Sequence, residues 1–562
     1  MTIKVVSVAQ MRAVEAAADA AGITYGDMMN EAGRAVANRA LAFLASLPNP
    51  AEARLTFLIG GGNNGGDGLV AARILAEESP ALVRLYLLTR RDDELFKAVE
   101  SKGVFIAHAE DDQRYRVLTN MIASAALVID ALFGIGVTLP LREDAAKLLR
   151  AANQALRLDD EDELDIIDPT QAPPHFPRPY VIAVDCPSGL DCDTGAIDKS
   201  ALPADETVTF IAAKPGLFAF PGAAAVGKLT VAPLGIPGSL EGLKAEKRTV
   251  VDAGSVIKLL PPRPHDAHKG TFGKALIIGG SVNYTGAPGL AARAAYRSGA
   301  GLVTVGAPAP TISALAAGLL EATWLLLPHD LGALADSAAP LIREEAAGYD
   351  SLLLGPGWGR EKTTRDALLK LLTAADAPRS RAALGFTATS AVSGKTNEKP
   401  LPPLVIDADG LNLLGEIDQW WKQLPAETIL TPHPGEMSRL AGMDIAEVQA
   451  RRWEIAAQKA AEWNVVLVLK GAHTLIAHPD GRVAALPYKT STLATAGTGD
   501  ILAGLIVGLL AQGMKPFDAA ICAGSLHGYA GELLGKRRQT ERGTVASDLF
   551  DALIEAYRTL GV

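Results

Sequence analysis

Two short strings in the 562-residue chain gather residues suited to binding phosphate and moving protons. In the first, the strand-like run RLTFLIG leads into GGGNNGGDG, Gly60 to Gly68, and then into the helical run LVAARIL. A glycine-rich turn between strand and helix brings backbone N–H groups close to phosphate oxygens, and the start of the helix favours negative charge. Asn63, Asn64 and Asp67 within this string carry side-chain oxygens that either ligate a hard cation or satisfy the backbone of the turn. In the second string, Gly497, Thr498, Gly499 and Asp500 open the long apolar run ILAGLIVGLL. Exposed N–H groups at such a helix start can neutralise a phosphoryl group in transfer, and Asp500 is placed to accept a hydroxyl proton. The plainer reading is a capped helix start.

Two acids end apolar strands in the first half, Asp130 in LVIDALFGIG and Asp185 in VIAVDCPSGL. That edge of an open parallel sheet is where ligands bind, although an Asp there can also simply cap the next turn. Lys214 of the AAKPG string is either a phosphate ligand or a solvated surface lysine. The strings KGTFGKALIIGGS, LLLGPGWG, VIDADGLNLL, LTPHPGEMSRL and VLVLKGAHTLI in the second half each run from a strand into a loop of small residues. His433, between Pro432 and Pro434, is held in a restricted position. Gly60, Gly62 and Gly65 spell GxGxxG, but the next strand ends in Thr89, Arg90 and Arg91 rather than an acid, against an ordinary Rossmann dehydrogenase. Gly222 to Lys228 contains GxxxxGK, yet Leu229 follows where a P-loop requires Ser or Thr.

The elements that position these residues follow an α/β rhythm. Short β-branched apolar runs such as Arg54 to Ile59, Leu82 to Leu88, Leu127 to Ile129 and Tyr180 to Val184 alternate with Ala/Leu-rich stretches of helical period. Ala275 to Ile278, Leu302 to Val305, Ser351 to Leu354, Leu404 to Ile406 and Val465 to Leu469 continue the pattern. The length suits more than one domain, and a Gly, Pro and Lys-containing segment before the run Pro261, Pro262, Pro264 places a boundary near residue 247. The polar stretches Asp159 to Pro179 and Ala377 to Pro403 read as surface insertions without a catalytic part.

Composition narrows the function classes. A net charge of −10 repels nucleic acid and anionic lipid, so an anionic substrate must be bound locally. The run Ile501 to Leu510 is too short for a membrane span, and the opening MTIKVVSVAQMRAVEAAADAAG lacks the features of an export signal. Cys186, Cys192 and Cys522 suit neither a disulfide framework nor a zinc site. The expectation is a cytoplasmic homo-oligomer with small-molecule substrates and no nucleic-acid or membrane partner.

GGGNNGGDG, VIDALFGIG, VDCPSG and ADETVTFIAAKPGLF together resemble the NAD(P)H-hydrate epimerase family over residues 1 to about 240. The resemblance implies a Rossmann-like three-layer sandwich, assigned to residues 1–247. It implies that Asn63, Asn64, Gly65, Gly66 and Asp67, with Gly134, Ile135, Gly136, Val137, Thr138, Leu139 and Pro140, surround the hydrated nicotinamide nucleotide, that Asp185 contacts it, and that Asn64, Asp130 and Ser188 hold K+. One departure stands out. The family often places Arg-Pro after the FGxG turn, whereas this chain has Val137-Thr138-Leu139-Pro140, which leaves that arginine's contact open.

The strings of the second half resemble the NAD(P)H-hydrate dehydratase family, of ribokinase-like α/β fold, assigned to residues 248–562. That resemblance implies adenine nucleotide binding by Lys470, Gly471, Ala472, His473, Thr474 and Gly499. It implies contacts from Ala287, Gly357, His433 and Asp500 to the hydrated cofactor, and Mg2+ accompanying ADP or ATP. The substrates would be NADHX and NADPHX, with Asp185 and Asp500 as the catalytic acids or bases. Epimerisation moves a hydroxyl between faces of one ring carbon, which requires acid/base help. Dehydration becomes easy once a phosphoryl group converts hydroxide into a good leaving group. The rival reading is a kinase of a sugar or vitamin alcohol fused to a non-catalytic binding module.

Overall fold

A computed structural model describes residues 3–156, 178–373 and 400–562, so the two polar stretches lie almost wholly outside the described residues. The chain divides into two compact units between Glu246 and Lys247.

In the first unit, strands β1 (Arg54–Ile59), β2 (Leu82–Leu87), β3 (Phe105–His108), β4 (Leu127–Ala131), β5 (Tyr180–Val184), β6 (Glu206–Phe210) and β7 (Lys228–Ala232) form a seven-stranded sheet. Their order is β3-β2-β1-β4-β5-β6-β7, and every pairing is parallel. Successive side chains of a strand point to opposite faces, so Leu55, Phe57 and Ile59 of β1 enter one core while Leu58 enters another. Helices Val8–Ala20, Tyr25–Leu44 and Asn63–Glu78 complete the first core, and Arg116–Ala123 and Glu143–Ala155 the second. A strand buried on both faces must be apolar at consecutive positions, which is why RLTFLI does not alternate. From β1 the chain steps outward to β2 and β3, then returns to lay β4 on the other side of β1. The crevice at this reversal, beyond the strands' C-terminal ends, is where such sheets bind ligands.

The second unit repeats the device. Strands β8 (Arg248–Val250), β9 (Lys274–Ile278), β10 (Leu302–Ala307), β11 (Thr323–Leu326), β12 (Ser351–Leu354), β13 (Leu404–Ile406), β14 (Ile429–Leu430), β15 (Val466–Leu469), β16 (Leu475–Ala477) and β17 (Val483–Ala485) run in the order β8-β17-β16-β15-β14-β13-β12-β9-β10-β11. The pairings from β15 to β11 are parallel, and within this sheet β15 with β16 and β16 with β17 are antiparallel. The reversal lies between β9 and β12.

Ile277 and Leu353 face a core built with helices Gly286–Arg297, Thr498–Ala511 and Pro516–Arg538, and Leu276, Leu352 and Leu354 face the opposite one. Helix Thr498–Ala511 is buried almost throughout, which explains its apolar character on every side. Gly504 and Gly508 let it lie directly on Gly286–Arg297. A Cβ on Gly504 would sit 2.2 Å from the Ala291 carbonyl oxygen, and one on Gly508 2.7 Å from that of Ala295. Among the described residues no helix is long and apolar enough to cross a membrane.

Candidate active sites

The glycine-rich string of the first unit is mostly helix. Gly62 is the N-cap and the helix starts at Asn63, so only Gly60–Gly62 form a loop; Asn63–Gly65 offer N–H groups free of helix bonds, and the Gly66 N–H closes the first turn on the Gly62 carbonyl at 3.2 Å. Gly60 and Gly65 permit this close turn. A Cβ on Gly60 would meet the Leu132 carbonyl oxygen at 2.0 Å, and one on Gly65 would meet the Gly60 oxygen at 2.0 Å.

Asn64 is buried, and among the described residues neither its amide oxygen nor its nitrogen has a hydrogen-bond partner. Its Oδ1 packs beside Gly134, where a Cβ would come within 3.1 Å. Nearby, Asp130 ends β4 fully buried. Its carboxylate accepts hydrogen bonds from the Ser188 N–H at 2.8 Å and the Ser188 hydroxyl at 2.6 Å. Burial pushes Asp130 up to about 6, against the pull of the Ser188 bonds. An orphaned amide oxygen, a buried carboxylate and a hydroxyl are the hard-oxygen donors an alkali cation takes, so these residues fit K+.

Asp185 ends β5 with φ +65°, a left-handed conformation uncommon for a non-glycine residue and concentrated at functional sites. Its Oδ1 accepts from the Lys214 ammonium at 2.7 Å and the Thr209 hydroxyl at 2.9 Å. Lys214, 1% exposed, also donates to the Thr209 hydroxyl at 2.6 Å and the Phe210 carbonyl at 3.3 Å. Neither sequence expectation for Lys214 holds. It is not solvated, and its three N–H bonds are spent inside the protein rather than on phosphate.

Beside these groups lies a cleft of about 420 Å³ lined by Glu15, Tyr25, Met29, Asn63 and Asp67. Burial and the neighbouring Asp185 and Glu15 carboxylates hold Asp67 well above the usual range. Glu15, in helix Val8–Ala20, had no sequence signal beyond a polar helix position. The Gly134–Pro140 segment turns through a Val137 N–H to Gly134 carbonyl bond of 3.2 Å, and Arg12 approaches Gly136.

In the second unit, Gly497, at φ +93°, caps helix Thr498–Ala511, and the Thr498 hydroxyl ties the turn to the Leu493 and Thr495 carbonyls at 2.8 and 2.9 Å. Asp500 in the first turn is pushed up to about 7, by burial first and then by Asp407, while Lys470 opposes. A carboxyl poised there can exchange protons near neutral pH. Lys470, at the end of β15, bonds Asp407 at 2.9 Å and lies 3.6 Å from Glu436. Burial alone would lower its pKa, but these two carboxylates outweigh it and hold it raised.

The cavity here, about 400 Å³, is lined by His433, Lys470, Gly471, Thr474, Gly497 and Gly499 among others. His433 caps helix Pro434–Ala441. Its Nδ1 accepts from the Gly435 and Glu436 N–H groups at 3.0 and 3.3 Å, and its own N–H donates to Glu436 at 2.8 Å. Burial and then Lys470 lower its pKa, favouring the neutral ring. His473 departs from its expected place. Its ring is buried on the Leu486 carbonyl at 3.1 Å and does not line the cavity, and burial brings it down to about 4.

Ala287 and Gly357 meet across the β9/β12 reversal. Gly357 is at φ +68°, and a Cβ there would lie 3.1 Å from that of Ala287. Gly497 in turn abuts Leu290, one turn beyond Ala287, so the two helix starts converge. Sequence reasoning singled out VIDADG and TPHPGE without assigning roles to Asp407 and Glu436, the carboxylates that hold Lys470.

Residues 275–555 match the family described as NAD(P)H-hydrate dehydratase, and residues 26–216 match the YjeF-related protein N-terminus. The bifunctional NAD(P)H-hydrate repair enzyme Nnr of Moorella thermoacetica is 37% identical over 520 residues, covering 91% of this chain and 88% of its own length. Its Escherichia coli counterpart is 33% identical over 544 residues, covering 96% and 90%. The chain belongs to the bifunctional NAD(P)H-hydrate repair enzymes.

Among solved structures, the Bacillus subtilis ADP/ATP-dependent NAD(P)H-hydrate dehydratase, co-crystallised with ATP and Mg2+, is 30% identical. It covers 55% of this chain and 98% of its own, with a TM-score of 0.44. Because the repair-enzyme relatives span both units, membership favours repair of hydrated nicotinamide cofactors over the rival of a sugar or vitamin kinase joined to an inert module. The three cysteines are free and buried.

Proposed function

We propose that the first unit epimerises the R and S forms of NADHX and NADPHX, acting as an isomerase, and that the second dehydrates the S form at the expense of ADP or ATP, acting as a lyase. The observation that carries the second half is Asp500, a carboxyl near neutral pKa in the first turn of helix Thr498–Ala511, beside a cavity edged by Lys470 and Gly499.

In this reading Asp500 takes the proton from the ring hydroxyl as the hydroxyl oxygen attacks the terminal phosphorus of the nucleotide, whose bond to the bridging oxygen breaks to release the nucleotide one phosphate shorter. The N–H groups at Gly497–Gly499 stabilise charge gathering on the transferred phosphoryl oxygens. Phosphate then leaves the ring carbon with its C–O electron pair, and loss of a proton from the adjacent ring carbon restores the dihydropyridine. Lys470 to Thr474 hold the nucleotide, with His473 contributing backbone only. Ala287, Gly357 and His433 border the hydrated ring. Mg2+ would arrive with the nucleotide and supply positive charge to its phosphates.

In the first unit, the Asn63–Asp67 turn and the Gly134–Pro140 segment hold the nucleotide, and Asp185 exchanges a proton with the oxygen that leaves and returns to the ring carbon. Asn64, Asp130 and Ser188 would hold K+, which supplies a fixed positive charge beside the substrate.

Mixing the full chain with the R epimer of hydrated NADH, first without and then with ADP or ATP, tests both halves. The expected result is epimer exchange alone, followed by nucleotide-dependent recovery of NADH absorbance. A phosphorylated product that accumulates without elimination would overturn the dehydratase reading.

A further inference from the structure

Exchange of a hydroxyl between two faces of a carbon needs a proton donor when the C–O bond breaks and a proton acceptor when water returns. Asp185, ion-paired with Lys214, can fill one of these roles, and a second group is needed for the other. The cleft walled by Phe210 and Ile211, which follow the Thr209 that bonds Asp185, contains a carboxyl of a different kind. Glu15 lines the cleft with Asp67 and Asn63, is half-buried, and among the described residues makes no hydrogen bond or ion pair. Glu15 faces the cleft and is tied to no backbone group among the described residues.

Resting on the epimerase reading, we propose that Glu15 is a second catalytic residue of the first unit, the acid that protonates the departing hydroxyl while Asp185 serves as its complementary base. In one direction the Glu15 carboxyl gives its proton to the ring hydroxyl. The C–O electron pair goes to oxygen, water leaves, and the lone pair of the ring nitrogen stabilises the cation. Water then adds to the other face, a new C–O bond forms, and Asp185 accepts the proton released. The reverse reaction exchanges the roles, and no oxidant or further reactant is needed.

The electrostatic setting favours a protonated Glu15. Burial raises its pKa, the Asp185 carboxylate raises it further, and Lys214 and Arg12 only partly oppose them. The other ionisable groups on the cleft are Asp67, itself raised, and Tyr25.

The test follows epimer exchange by the full chain across pH, without nucleotide, for the natural protein, Glu15→Gln, Glu15→Asp and Asp185→Asn. An acid that must carry its proton gives a rate that falls as pH rises through its raised pKa. Glu15→Gln should slow exchange by about 100-fold or more and abolish that alkaline limb, whereas Glu15→Asp should keep the limb at a reduced rate. Denaturant unfolding of the first unit in the same preparations reports on its folding, and each variant should unfold cooperatively as the natural protein does. An unchanged rate in Glu15→Gln, a slower rate with the natural pH profile, or identical behaviour of the Gln and Asp variants would overturn the proposal. If the natural protein fails to exchange epimers at all, it is the epimerase reading that falls.

Discussion

The ammonium of Lys214 lies 2.7 Å from the Asp185 carboxylate, and both are almost fully buried. Asp185 is therefore not a carboxylate hydrated in a cleft but one oriented by a buried cation and a threonine hydroxyl.

Removing that cation leaves a buried carboxylate without its counter-charge. Lys214→Met should destabilise the first unit by about 3–5 kcal/mol, read by denaturant unfolding, and should abolish epimer exchange. The double variant Lys214→Met with Asp185→Asn should regain part of the stability but none of the exchange. Stability of the single variant within error of the natural protein would refute the energetic role.

Asp500→Asn should abolish nucleotide-dependent recovery of absorbance while epimer exchange continues. The base works ionised, so in the natural protein dehydration should decline as pH falls through about 7. Stability runs the other way. A carboxyl raised on folding binds its proton more tightly in the native state, so stability is lost as pH rises towards 7, and the uncharged Asn should raise the melting temperature most above that pH. A melting temperature unchanged at alkaline pH would count against the raised value.

His433 combines a helix cap with a place on the cavity wall, and two substitutions separate these. His433→Ala should cost about 1 kcal/mol through the lost cap, whereas Asn restores a capping oxygen and should cost less. If both variants show the same raised KM for the hydrated cofactor, the ring contacts substrate. A defect that tracks stability alone would confine His433 to capping.

Potassium should stabilise the first unit. Replacing choline chloride with KCl at equal ionic strength should raise its melting temperature, and Asn64→Ala should remove that increment without slowing dehydration. An equal increment in Asn64→Ala would place the cation elsewhere.

Strands buried on both faces were legible because nothing but apolar residues can fill them, as in β1 and β12. β6 was not, since ETVTF places Glu206, Thr207 and Thr209 in buried positions that no hydropathy pattern marks. Glu206 is accommodated there by Arg39, with Nε to Oε1 at 2.5 Å, and by the Thr230 hydroxyl. That same strand supplies Thr209 to Asp185, so the support of a site residue was hidden with it. The Gly60–Gly68 string read as a loop because glycine disfavours helix, yet close packing against Leu132 sets the first turn there. Asp407 and Glu436 come together only because β13 and β14 pair, Val405 beside Ile429, a long-range fact absent from either string. Glu15 occupies a polar position of an amphipathic helix, where sequence cannot tell a solvent face from the wall of a cleft.

Gly504 and Gly508 have no contact with any reactant in the proposed chemistry, yet they set how deeply one helix nests against its neighbour. A methyl group at either position would push the rod outward and carry Asp500, in its first turn, away from the hydroxyl whose proton it must take. The reach of the proton acceptor is thus tuned from one and two turns away by the absence of two side chains.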